Sequence, residues 1–221
     1  MDPLLEAYIE AHISAAPENL SRLERATNLQ RVNGRMCSGL VQGRILKMLT
    51  RMVNPRRALE LGTFTGYSAL CIAEGLAPEA SLVTIELEEE LELPIRQAFD
   101  ESPHGEKIDL IIGDALDVCA GLPDEEFDLI FIDADKRQYP AYYREAKRLL
   151  SPGGFIIADN TLWDSHIIEP GRHDRQTEGI REFNSIVAQD PEMEVAVIPV
   201  RDGLTLIYKP KIQAPAPDSE T

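Results

Sequence analysis

Two hydrophobic runs, FDLIFIDADK (Phe127 to Lys136) and GGFIIADNTLW (Gly153 to Trp163), decide the fold of this chain. Each run is short, continuous and apolar, which is typical of a β-strand buried on both faces of a parallel sheet. The first run ends in Asp133 and the second in Asp159 and Asn160. Open α/β sheets bind their ligands at the carboxyl ends of such strands. Two carboxylates and an amide oxygen there would suit Mg²⁺ or Ca²⁺ rather than zinc, and ordinary turn and cap residues are the alternative.

Strands and helices alternate on both sides of these two runs. Apolar runs predict strands at 58–61, 82–85, 108–113, 128–132, 155–158, 195–199 and 204–208, and helices near 66–76, 89–100, 114–121, 139–150 and 175–189. Three further helices are predicted at 3–15, 17–31 and 38–52. Asp202-Gly203 is typical of a hairpin turn between the last two strands. The order predicts a doubly wound α/β fold whose seven-stranded sheet is mostly parallel, with one antiparallel strand.

Composition restricts the class of protein. The chain has 221 residues, 43% of them hydrophobic, so it can bury a substantial core as one domain. No stretch approaches the ~20 apolar residues that cross a bilayer, and the acidic start MDPLLEAYIEAH does not resemble a secretory signal. Three cysteines without metal-ligand spacing indicate a reducing compartment. We therefore expect a cytoplasmic protein with no membrane partner, organised as one domain over residues 1–212 with a disordered tail at 213–221.

The net charge of −16 is distributed unevenly along the chain. Between Asn19 and Arg57 the only acid is Glu24, whereas the bases in that segment are Arg22, Arg25, Arg31, Arg35, Arg44, Lys47, Arg51, Arg56 and Arg57. A basic segment on an acidic body could contact a polyanion such as RNA or a nucleotide-tagged substrate. The alternatives are a solvated helical face or pairing with acids of the same fold or of a partner subunit.

The first strand leads into a glycine-containing loop, ELGTFTGYS, from Glu60 to Ser68. Glycine at a strand-to-helix turn lets the backbone approach a ligand closely. The spacing E-x-G-x-x-x-G does not match the dinucleotide fingerprint G-x-G-x-x-G. Glu86 ends the second strand, where a ribose-binding carboxylate would lie, and Gly113-Asp114-Ala115 follows the third. The three strand ends together predict a nucleoside pocket.

These residues resemble those of a known family. The segments ALELGTFTGYSAL, GDALD, DLIFIDADKRQY, GGFIIADNTLW and RDGLTLIYK occur in the order seen in the cation-dependent O-methyltransferases. That family includes caffeoyl-CoA and catechol O-methyltransferases and a bacterial branch that methylates 5-hydroxyuridine in tRNA. The resemblance extends from about Arg35 to Lys209 and implies a Rossmann-like methyltransferase fold.

The resemblance implies that S-adenosylmethionine occupies the nucleoside pocket. By matching position, the cofactor-binding residues would be Met36, Ser38, Glu60, Gly62, Thr63, Ser68, Glu86, Ala115, Asp133 and Asp135. Residues 1–54 would form an N-terminal helical segment that covers cofactor and substrate. The stretch RMCSGLVQG in that segment departs from the more acidic version in the plant enzymes.

The resemblance also implies a metal site and a catalytic base. Asp133, Asp159 and Asn160 match the metal ligands, which agrees with the prediction from the strand ends. The expected cation is Mg²⁺, with Mn²⁺ or Ca²⁺ as alternatives. Lys136 matches the general base of the catechol enzymes, because neighbouring positive charges favour the neutral amine that accepts a proton. An ordinary exposed lysine in a polar turn is the alternative.

The acceptor has several candidates. Lys136, Asp159, Asn160, Trp163 and Asp164 match substrate-contact positions, and Trp163 could equally be a packing residue. The first candidate acceptor is a catechol-like phenol, free or as a CoA thioester, and the second is a hydroxylated uridine in tRNA. A catalytically silent cofactor-binding module is the third hypothesis. The resemblance further implies a homodimer.

Overall fold

Seven strands form one mixed sheet through the centre of the protein. The computed structural model describes residues 3–31 and 34–211, so the predicted tail at 213–221 lies outside the described residues. The strands are β1 (Arg57–Leu61), β2 (Ser81–Glu86), β3 (Ile108–Ile112), β4 (Phe127–Ile132), β5 (Leu150–Ala158), β6 (Glu194–Ile198) and β7 (Leu204–Tyr208). Their order is β3-β2-β1-β4-β5-β7-β6. Strand β7 runs antiparallel to both of its neighbours and the other strands are parallel, which confirms the predicted fold class.

Helices flank the sheet and precede it. They are α1 (Pro3–Ala11), α2 (Glu18–Gln30), α3 (Gly39–Val53), α4 (Tyr67–Gly75), α5 (Glu92–Asp100), α6 (Ala115–Ala120), α7 (Tyr139–Leu149) and α8 (Arg175–Gln189). The first helix ends at Ala11 and not at residue 15, and its last turn closes with the His12 N–H donating to Ile9 O at 3.0 Å, the tighter three-residue spacing common at helix ends. No helix within 3–31 and 34–211 is long and apolar enough to cross a membrane.

The two central strands explain the continuous apolar runs of the sequence. Leu59 of β1 and Ile130 of β4 are 0% exposed on one face of the sheet, and Leu129 (1%) and Phe131 (0%) of β4 are equally buried on the other. Layers of helices therefore cover both faces of the sheet here, so alternation with polar residues is unnecessary. Full burial of each such side chain contributes about 1.5–3 kcal/mol. The strand ends are thus carried by the most firmly packed part of the fold.

The hairpin between β6 and β7 folds against the loop that follows β5. The backbone N–H of Thr161 donates to Gly203 O at 3.2 Å, and that of Leu162 donates to Asp202 O at 2.7 Å. Gly203 has φ +86°, as the predicted hairpin turn requires. The turn therefore lies beside Asn160, next to the carboxyl ends of the central strands.

Candidate active site

Strand register brings the two acidic strand ends together. Leu61 pairs with Ile132 across β1 and β4, and Ile132 pairs with Ala158 across β4 and β5. The ladder continues one residue further, since the Asp133 N–H donates to Leu61 O at 2.9 Å and the Asp159 N–H donates to Ile132 O at 3.0 Å. Asp133 and Asp159 therefore leave adjacent parallel strands at the same level.

Lys136 lies inside this site. Its Nζ donates to Asp133 Oδ1 at 2.6 Å and to the Tyr139 hydroxyl oxygen at 2.8 Å. Tyr139, fully buried, donates its own hydroxyl hydrogen towards Asp159 O at 2.9 Å. Lys136 is only 8% exposed, so the alternative of an ordinary exposed lysine is wrong. Lys136 thus connects the Asp133 carboxylate, through the Tyr139 hydroxyl, to the backbone of Asp159.

Both oxygens of the Asp159 carboxylate accept hydrogen bonds. Oδ1 accepts from the backbone N–H of Asn160 at 2.7 Å, and Oδ2 accepts from Gln42 Nε2 at 2.6 Å. Burial, followed by the negative charge of Asp133, raises the pKa of Asp159 to about 7. The two carboxylates are thus close enough to repel each other, and a cation between them would relieve that repulsion.

Asn160 has its amide oriented by a neighbour. Its backbone is left-handed, with φ +56°, a conformation that asparagine tolerates better than most residues. Its Nδ2 lies 3.5 Å from Asp202 Oδ2. Because a carboxylate can only accept, this contact identifies Nδ2 as the donor and leaves the amide oxygen available. Asp202 thus forms part of the hairpin turn, as predicted, and its side chain also contacts Asn160.

These three side chains fit a divalent cation of the hard, oxygen-preferring kind. Two carboxylates and an amide oxygen form an oxygen-only donor set, which suits Mg²⁺, Mn²⁺ or Ca²⁺. His, Cys, Asp and Glu side chains by themselves form no metal-binding cluster of three in the described ranges. Asn160 is therefore needed as the third donor. The repulsion between Asp133 and Asp159, which a cation would relieve, also favours cation binding.

Glu60, at the end of β1, is a buried carboxyl with one unpartnered oxygen. Its Oε2 accepts from Thr84 Oγ1 at 2.5 Å, and Thr84 Oγ1 lies 2.7 Å from Thr63 Oγ1. Its Oε1 has no hydrogen-bond partner among the residues that the structure describes. Burial raises the pKa of Glu60 to about 8, although Ser68 and Thr84 favour the ionised form. Such a group is suited to accept a hydrogen bond from a cationic amine.

The loop after β1 approaches β4 closely. Gly62 has φ +96°, and a Cβ at this position would collide with the backbone oxygen of Asp133. Further along the loop, the Phe64 N–H donates to Glu86 Oε2 at 2.6 Å, while the Glu88 N–H donates to Glu86 Oε1 at 3.0 Å. Glu86 thereby ties the end of β2 to the loop. The ends of β1, β2 and β4 form one continuous wall.

The remaining predicted residues are placed less uniformly. Ser38, Ser68 and Ala115 are buried, whereas Met36 is 59% exposed. The Asp135 carboxylate caps the following turn and pairs with Arg137. Trp163 is partly buried and packs against the hydrophobic core, and Asp164 is exposed with φ +48°. In the described ranges, hydrogen bonds do not join Met36, Asp135, Trp163 or Asp164 to Asp133 or Asp159, so their roles stay predictions.

Gln42 and Tyr139 contact the site although sequence reasoning did not single them out. Gln42 lies on α3, more than a hundred residues from Asp159, so no local pattern links the two. Tyr139 follows Lys136 by three residues, a spacing that places both on one side of a helical turn and could have indicated the contact.

The basic segment is partly neutralised within the fold. Arg22 Nη2 lies 2.7 Å from Glu101 Oε2, and Arg44 Nη2 lies 2.8 Å from Glu74 Oε2. Other pairs in this segment are Lys47 with Glu74 and Arg57 with Glu126. For these four bases the structure favours the alternative of pairing with acids of the same chain.

Fold and site define a class I methyltransferase, and comparisons with known proteins agree. The sequence model of the family described as O-methyltransferase matches residues 10–210. Caffeoyl-CoA O-methyltransferase 1 from Eucalyptus globulus is 32% identical over 221 residues, which cover 93% of this chain and 87% of the relative. Catechol O-methyltransferase domain-containing protein 1 from Mus musculus is 32% identical over 189 residues, covering 84% of this chain and 72% of the relative.

Solved structures show the same relationship. The O-methyltransferase TomG from Streptomyces achromogenes, in complex with SAM, superposes with a TM-score of 0.87 at 28% identity, covering 94% of this chain and 96% of that one. The SAH-bound methyltransferase PaMTH1 from Podospora anserina superposes with a TM-score of 0.85 at 30% identity, covering 93% and 94%. The chain belongs to the O-methyltransferase family and is an S-adenosylmethionine-dependent O-methyltransferase.

Proposed function

We propose that this enzyme requires a divalent cation and methylates a hydroxyl of a catechol-like small molecule, free or as a CoA thioester. The observation that carries the proposal is that Asp133 and Asp159 leave adjacent strands at the same level, with Asn160 directly after Asp159 and Lys136 hydrogen-bonded to Asp133. Lys136 Nζ is 2.6 Å from Asp133 Oδ1, and the Tyr139 hydroxyl joins Lys136 to the backbone of Asp159. A cation site and a proton acceptor thus share one edge of the sheet.

Glu60 and Glu86 are proposed to hold the methyl donor. When bound, S-adenosylmethionine supplies a methyl group activated by its sulfonium. The unpartnered Oε1 of Glu60 would accept from the amino group of the donor, with Thr63 and Ser68 beside it. Glu86, at the end of β2, would accept from the ribose hydroxyls, and buried Ala115 would line the base. The close approach of Gly62 to Asp133 brings this pocket next to the cation site.

Lys136 is proposed to remove the proton from the acceptor hydroxyl. A divalent cation, held by Asp133, Asp159 and Asn160, would orient the acceptor and make its hydroxyl more acidic. The neutral amine of Lys136 would take the proton at Nζ, and Tyr139 and Asp133 keep that atom in place. Burial of Lys136 excludes bulk water from the proton transfer. Positioning of the acceptor oxygen then supplies much of the rate.

A small-molecule acceptor is favoured over tRNA by the charges. Arg22, Arg44, Lys47 and Arg57 pair with acids of this chain, which leaves fewer bases for phosphate contacts. Relatives named caffeoyl-CoA O-methyltransferase support the same choice.

The proposal is tested by radiolabelled methyl transfer from S-adenosylmethionine to a catechol panel, to caffeoyl-CoA and to bulk tRNA, each with Mg²⁺ or with excess EDTA. We expect Mg²⁺-dependent labelling of a vicinal diphenol. Labelling of tRNA alone would contradict the small-molecule acceptor, and full activity in EDTA would contradict the cation requirement.

A variant pair tests the ligand set. Asp133→Ala should abolish Mg²⁺-dependent turnover, because the donor set loses one of its two carboxylates. Asp100→Ala removes an exposed carboxylate at the end of α5 and should keep wild-type turnover. Mg²⁺-dependent activity of Asp133→Ala at the control level would refute the assignment of this ligand.

A further inference from the structure

Gln42 makes the shortest side-chain hydrogen bond to Asp159 in the described part of the chain. Gln42 lies on α3 and is 1% exposed, and its Nε2 donates to Asp159 Oδ2 at 2.6 Å. Its Oε1 lies 3.5 Å from Arg201 Nη1, in the turn between β6 and β7. With a carboxylate on one side and a guanidinium on the other, the amide can face only one way.

We propose that Gln42 is a positioning residue that fixes the Asp159 carboxylate and thereby sets the affinity of the site for its divalent cation. The inference rests on the proposed cation requirement. It assigns to α3, an element that precedes the sheet, a direct share in building the cation site.

The geometry of Asp159 supports this role. One hydrogen bond reaches each carboxylate oxygen, from Asn160 N to Oδ1 and from Gln42 Nε2 to Oδ2. Two contacts on opposite oxygens fix the rotation of the carboxylate plane. Each carboxylate oxygen offers about two lone-pair sites, so each keeps one free to bind a cation. Gln42 therefore orients the ligand without occupying it.

The chemistry of the amide supports it as well. Gln42 is neutral, so it stabilises the ionised carboxylate without bringing a positive charge that would compete with the cation. Lys136, by contrast, places an ammonium on Asp133 at 2.6 Å. Hydrogen-bond partners of metal ligands commonly change metal affinity by about 10–100-fold when removed.

Arg201 links Gln42 to the residues just before α3. Its backbone has φ +48°, a left-handed conformation in which glycine is far more common than arginine. Its guanidinium reaches the backbone oxygen of Cys37, next to buried Ser38, at 3.4 Å. An unfavourable backbone conformation retained by a long side chain indicates that the side chain is needed. Arg201 thus holds Gln42 and the segment before α3 together.

The test compares Gln42→Met with Thr50→Val, using the full chain. Thr50 lies on the same helix and is 0% exposed, and among the residues that the structure describes its hydroxyl donates only to Leu46 O, so its variant controls for loss of a buried polar group. Mn²⁺ affinity is measured by electron paramagnetic resonance, S-adenosylmethionine affinity by calorimetry, and Tm by scanning fluorimetry. We expect Gln42→Met to weaken Mn²⁺ binding by about 10-fold or more. Cofactor affinity should change less than twofold, and Thr50→Val should keep wild-type Mn²⁺ affinity.

The Mn²⁺ affinities of the variants and of the wild type distinguish the positioning role of Gln42 from a structural effect. An Mn²⁺ affinity of Gln42→Met within twofold of wild type would overturn the positioning role. Equal weakening in Thr50→Val would also overturn it, because the effect would then be structural. Should Gln42→Met not fold, Gln42→Asn, whose amide is one methylene too short to reach Asp159, is expected to show the same weakening, and wild-type affinity there would overturn the role. Absence of Mn²⁺ binding by the wild type would instead refute the proposed cation requirement.

Discussion

Lys136 and Glu60 are buried ionisable side chains with different surroundings. Lys136 has two partners, Asp133 and Tyr139, within 2.8 Å of its Nζ. Glu60 is 0% exposed and keeps one oxygen unpartnered among the described residues. The first arrangement suits a group that exchanges a proton in place. The second suits a group whose partner arrives with the ligand.

Replacement of Lys136 tests its role in proton transfer. Lys136→Met should lower kcat by about 10²–10⁴-fold, which is the usual contribution of a positioned base. Cation affinity should stay constant or increase, because the ammonium no longer competes for Asp133. Single-turnover rates and Mn²⁺ titration measure the two effects separately. A kcat within threefold of wild type would show that another group removes the proton.

Because Glu60 is buried with a raised pKa, we expect the stability of the ligand-free protein to depend on pH. Its folded-state pKa of about 8 lies above the ordinary value of 4.5, so the folded state binds more protons than the unfolded chain between these pH values. Stability therefore falls as pH rises through that window. Glu60→Gln removes this loss and should be more stable than wild type at pH 8 by on the order of 4 kcal/mol, with no gain near pH 4. The free energy of unfolding of both proteins is measured by denaturant titration at pH 4 and pH 8. A stability gain of Glu60→Gln that is the same at both pH values would contradict the titration of a buried Glu60.

At the scale of elements, the turn that carries Lys136 is held by α8. A Cβ on Gly179 would collide with the backbone oxygen of Lys136 and lie 3.0 Å from Arg137 Cα. Helix α8 can pack this closely only because position 179 has no side chain. The orientation of Lys136 is thus determined partly by a helix more than forty residues further along the chain.

Gly179→Ala should therefore impair catalysis without touching the cofactor pocket. We expect a lower Tm and a kcat reduced by about 10-fold or more, because even small displacements of the proposed base Lys136 would be costly. Gly171→Ala is the matched control, since no atom of the described part of the chain lies within 4 Å of a Cβ there. Thermal melts and steady-state kinetics of the two variants provide the comparison. Equal kcat values would show that the turn does not depend on α8.

The sequence predicts the residues at the strand ends, but not the residues that reach the site from distant helices. Asp133, Asp159 and Glu86 directly follow or end apolar runs, so strand periodicity places them at one edge of a parallel sheet. Gln42 and Gly179 reach the site from distant helices. Their roles depend on how α3 and α8 pack against the sheet, and no local pattern encodes that packing. The left-handed backbone of Asp164 was not predictable either, as nothing in WDS requires it.

At the scale of the whole molecule, the site is formed at the centre of the sheet, where β1, β4 and β5 adjoin. Helices α2 and α3 meet this edge from the amino-terminal side. Thr27 Oγ1 of α2 donates to Thr65 Oγ1 of the loop after β1 at 3.0 Å, and Gln42 of α3 reaches Asp159. Ligand binding at this edge should therefore stabilise distant parts of the chain together.

S-Adenosylmethionine should accordingly raise Tm. At a concentration of 100 times Kd, a ligand that binds only the folded state adds about 2.7 kcal/mol, which corresponds to about 5–11 °C for a protein of this size. The shift should be much smaller in Glu60→Gln, because the amide is a poorer partner for a cationic amine. Scanning calorimetry with and without ligand measures both shifts. An equal shift in the two proteins would argue against a contact between Glu60 and the donor.

The unpartnered oxygen of Glu60 has a consequence for the energetics of cofactor uptake. At neutral pH the free enzyme holds this carboxyl mainly in its acid form, since its pKa is about 8. If the ammonium of the donor binds Glu60 as proposed, it favours the anion, so uptake of the donor should expel hydrogen ions into the medium. Apparent binding heats should then differ between phosphate and Tris buffers, whose ionisation enthalpies differ widely, and the difference should vanish well above pH 8. The product retains the same amine, so on the proposed contact the Glu60 carboxylate should stay charged until the product departs.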